Sequence, residues 1–74
     1  MSSHKNPTLF DVVAVLSAPP DVPVEVGDVG TVVELLAPDA VEVEFLQRDG
    51  RTRCLATLPI ADVLVLNRDR TPVR

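Results

Sequence analysis

The chain has 74 residues and a mass of 8.0 kDa, enough for one small domain but not two. It carries 11 acidic and 7 basic side chains, a net charge of -4, two phenylalanines as its only aromatic residues, one histidine and one cysteine. One cysteine excludes an internal disulfide, and one cysteine with one histidine excludes the usual four-ligand zinc site. At 46% hydrophobic and 24% charged, the composition is that of a packed domain and not of a disordered chain. A core of this size supplies only about 3–5 kcal/mol of net stability. No apolar stretch approaches the roughly 18 residues of a membrane span, and the first residues, MSSHKNPT, lack an apolar signal region. The expectation is a soluble, cytoplasmic protein with no membrane contact. An acidic pI near 4.6 argues against nucleic-acid binding, which rests on phosphate neutralisation by Lys and Arg. Charge is unevenly placed: residues 1–46 hold eight acids and one base, and residues 47–74 hold six bases and three acids.

In chain order, residues 1–7 read as a flexible lead-in ending in Asn6-Pro7, residues 8–67 as a single β domain, and residues 68–74 as a flexible tail. Residues 9–16, rich in β-branched side chains and stopped by Pro19-Pro20, predict a first strand with Phe10 inside and Leu9, Val13 and Val15 on its other face beside Asp11. Residues 17–28, with three prolines and Gly27, predict a long loop. Residues 29–36 and 40–47 predict two strands joined by the odd loop Ala37-Pro38-Asp39. Asp49-Gly50 predicts a two-residue turn into a fourth strand. Residues 58–62 are too short for a regular helix and predict one 3₁₀ turn before a last strand over 63–66.

Side-chain parity around the Asp49-Gly50 turn pairs Phe45 with Cys54, Glu44 with Leu55, Val43 with Ala56 and Leu46 with Arg53. It puts Val41, Val43, Phe45, Cys54, Ala56 and Leu58 inside, and Glu42, Glu44, Leu46, Arg48, Arg51, Arg53 and Leu55 outside. The odd loop sets Glu34 opposite Glu42, with Thr31, Val33 and Leu35 inward. Five short strands, one tight hairpin, one long early loop and a 3₁₀ turn describe an all-β, five-stranded, SH3-like barrel, with an open five-stranded sheet as the alternative.

Taken together, LFDVVAVL, VGDVGTVVELL, VEVEF and LPIADVLVL resemble the bacterial family named domain of unknown function 4926. The resemblance covers nearly all of residues 8–66, and its most specific phrase is Gly27-Asp28-x-Gly30-Thr31-Val32-Val33-Glu34. It implies a small SH3-like β fold, no settled biochemical role, and members that sometimes sit beside toxin-like or nuclease-like neighbours, hence an immunity or antitoxin type of function. Where the usual member has an aromatic or apolar residue after the second turn, this chain has Arg51-Thr52-Arg53. The GDxGTVV phrase also resembles the turn of KOW-type modules that bind RNA or ribosomal partners.

Among candidate sites, Gly27 and Gly30 lack the following Lys and helix of a phosphate loop, so they read as a positive-φ turn and a close backbone approach. Cys54 reads as a small core side chain. His4 has no acid or thiol near it for a triad. Glu34, Glu42 and Glu44 share one outer face, where Arg53, diagonal to Glu44, partly neutralises them. With Leu46 and Arg53 they form the candidate partner-binding set. Leu9, Val13, Val15, Val32, Leu36 and Leu46 form an apolar excess that a homodimer or a larger protein would cover. No nucleophile–base pair, metal set or cofactor motif is present, so the reading is non-catalytic, without cofactor or metal. It expects a protein-binding module with a basic partner or a neighbouring gene product. The alternatives are an RNA- or ribosome-associated module using Arg48, Arg51 and Arg53, and a self-associating structural protein.

Overall fold

The computed structural model describes residues 6–66. The calls on residues 1–5, with His4, and on 68–74 lie outside them; of the lead-in, Asn6 is exposed and Pro7 is buried. Among the described residues five strands form one antiparallel sheet: β1 (Val12–Val15), β2 (Val29–Leu36), β3 (Ala40–Leu46), β4 (Thr52–Pro59) and β5 (Val63–Val65), with a 3₁₀ turn (Ile60–Asp62) before β5. Their order across the sheet is β4-β3-β2-β1-β5, so β4 and β5 are its edges and the sheet is not closed. This is the open arrangement that the sequence admits beside the barrel.

The hairpin of β3 and β4 follows the expected parity. Val41 pairs with Leu58, Val43 with Ala56, Glu44 with Leu55 and Phe45 with Cys54. The turn itself differs. The Gly50 N–H bonds the Gln47 carbonyl and the Gln47 N–H bonds the Arg51 carbonyl, which makes Arg48, Asp49 and Gly50 a three-residue loop with Gly50 at φ 89°. Leu46 consequently pairs with Thr52 and not with Arg53. An irregularity between Phe45 and Leu46 absorbs the extra residue and restores the register.

On β2 the expected facing is overturned up to Val33 and kept beyond it, where Leu35 pairs with the inner Val41. Val32 pairs with Val43 and is fully buried, the register slips at Val33, and Glu34 then pairs with Glu42. Thr31 therefore lies beside Glu44, and Leu35 is half exposed at the sheet end. The first strand is corrected in the same sense. Val13, Val15 and Asp11 are buried and Phe10 is 71% exposed. The cause is local: Thr8 to Asp11 form a turn closed by the Asp11 N–H on the Thr8 carbonyl, and Phe10 sits in it at φ 69°. The Phe10 N–H bonds the Val32 carbonyl while the Val32 N–H bonds the Asp11 carbonyl. Two residues thus oppose one, with Phe10 where such a bulge ordinarily holds glycine. Asp11 secures the turn by accepting the Thr8 N–H (2.8 Å) and hydroxyl (3.0 Å). Half of the proposed outer apolar excess is therefore core: Val13, Val15 and Val32 pack with Val41, Val43, Phe45, Leu58 and Val63, whereas Leu9 and Leu46 are exposed and Leu36 is half-buried. The long loop also contributes, since Val24 is buried in that core and Ala18 and Val22 pack against it.

Gly27 and Gly30 have the roles read from the sequence. Gly27 has φ 94°, while a Cβ at Gly30 would lie 2.6 Å from Val43 Cγ1, 2.7 Å from the Glu44 carbonyl oxygen and 2.9 Å from Phe45 Cδ1. Gly30→Ala is expected to destabilise the fold by about 1–3 kcal/mol, because a backbone oxygen must move to admit the methyl group. Phe10→Gly is expected to stabilise it by about 1 kcal/mol, since the left-handed backbone carries a penalty only for residues with a Cβ. Urea unfolding of both variants, with unchanged slopes, checks the two signs.

Candidate functional site

Strand pairing arranges the outer sheet face in three rungs. One runs Thr57, Glu42, Glu34. The next runs Leu55, Glu44, Thr31, Val12. The third runs Val29, Ala14, Leu64. Glu34, Glu42 and Glu44 thus share one side of the sheet. Leu46, two residues after Glu44 at the end of β3, is exposed beside them. Glu42 accepts a hydrogen bond from the Thr57 hydroxyl (2.6 Å), and Glu44 accepts one from the Thr52 hydroxyl. Glu42 and Glu44 are half-buried residues held by these bonds from β4, whereas Glu34 is exposed. Like charges on Glu34 and Glu42, directly paired across β2 and β3, cost stability.

Beside the acids lie Val12, Val29, Leu46, Leu55 and Leu64, all exposed. Sequence reasoning found Leu46 and Leu55 on this face and missed Val12, Val29 and Leu64. The signal was the alternation in residues 12–15 and 29–32, which becomes readable only once Phe10 is taken out of the strand.

Arg53 goes elsewhere. Its guanidinium lies 3.1 Å from Asp28 Oδ2 and 5.7 Å from the centroid of the Phe45 ring, so it covers a core aromatic and does not neutralise Glu44. Asp28 also accepts the Glu25 N–H at 2.9 Å. That backbone bond first, and the Arg53 guanidinium next, hold the Asp28 carboxyl below the ordinary aspartate value of 3.8, and the Asp28 hydrogen bond raises Arg53 in turn. Arg51 lies 3.7 Å from Asp49 within the turn. Cys54 is free and half-buried.

A groove of about 310 Å³ opens at the far end of β2 and β3, between Pro7, Leu35, Pro38, Val41 and Ile60, and among the described residues no titratable side chain lines it. Among the described residues no group of three or more His, Cys, Asp or Glu side chains is placed to hold a metal ion, and no helix is long and apolar enough to cross a membrane.

With this geometry in view, the comparisons with known proteins give a family. The chain belongs to the family described as "Domain of unknown function (DUF4926)", which matches residues 9–65. Neither a curated protein nor a solved structure matches it.

Because the Asp28 carboxyl is lowered in the folded state, its contribution to stability is present above the ordinary aspartate value and is lost as pH falls through the lower folded value. Asp28→Asn is expected to be less stable than the parent at neutral pH, with the difference shrinking in acid and at high salt. Urea titrations across that pH range measure the convergence.

Proposed function

We propose that this protein is a non-catalytic protein-binding module of the cytoplasm, working through the outer face of its sheet, in the manner of an immunity or antitoxin-type protein. The observation that carries the reading is the placement of five exposed apolar side chains, Val12, Val29, Leu46, Leu55 and Leu64, on the same face as Glu34, Glu42 and Glu44. A mixed apolar and acidic surface suits a partner whose own surface is apolar with basic residues at its edge. Holding Glu42 and Glu44 by threonine hydroxyls favours such a surface, because little side-chain freedom is then lost on docking. The same acids make self-association through this face unfavourable. We further read the sheet as SH3-like: the long loop between β1 and β2 and the 3₁₀ turn before β5 support a sheet curled on itself, with the loop's Val24 in the core.

The test takes purified products of neighbouring genes as the first candidates. Binding by calorimetry is expected to weaken with added salt, and Glu42→Arg combined with Glu44→Arg is expected to lower affinity about tenfold or more, roughly 1.4 kcal/mol. Affinity unchanged by the double reversal would leave the acidic face as solvated surface.

A further inference from the structure

We draw no further inference here: the strongest candidate, the apolar groove at the far end of β2 and β3 between Pro7, Leu35, Pro38, Val41 and Ile60, carries none because nothing in the structure shows what covers it.

Discussion

The fold depends on a side chain that is missing. At Gly30, β2 approaches β3 so closely that the ring of Phe45 and the backbone of Glu44 occupy the space a Cβ would need. The ring can then lie across the inner face with Val13 and Cys54 in the neighbouring strands. Arg53 covers the ring from β4, and its ion pair with Asp28 ties that strand to the turn that leads into β2. Segments 25 residues apart are thereby held at one point. In a chain with no disulfide, this contact replaces a covalent staple with close packing.

Around that point, the sheet is set by its irregularities more than by its regular runs. The extra residue beside Phe45, the slip at Val33 and the Phe10–Asp11 bulge each shift facing by one position. Because side chains alternate with a period of two, each shift moves every later residue to the other side. The slip at Val33 is what allows Val32 to be core while Glu34, two positions on, stands opposite Glu42. Without it, either the core would lose a valine or the acidic rung would break up.

The result is an outer face of mixed chemistry, with acids next to aliphatics. Membership of a family of unknown function leaves that face to be judged on its physics.

The sequence by itself determined the parts that follow from short-range rules. Alternation in residues 41–46 and 54–58 sorted the inner from the outer face, Gly27 and Gly30 declared a turn and a close approach, and the odd loop Ala37-Pro38-Asp39 set Glu34 against Glu42. The pairing of Phe45 with Cys54 was legible even though the turn was read one residue short, because the turn and the adjoining irregularity offset each other. Tertiary structure decided what depends on a neighbour's presence. Phe10 reads as core by its apolar ring, yet the bonds that Phe10 and Asp11 make to Val32, remote in sequence, fix a bulge that expels it and reverses the facing of β1. Arg53 reads as a partner for Glu44, yet Asp28, remote in sequence, takes it. Periodicity carries information only within an unbroken strand, and bulges and long-range ion pairs are created by contacts that no local pattern encodes.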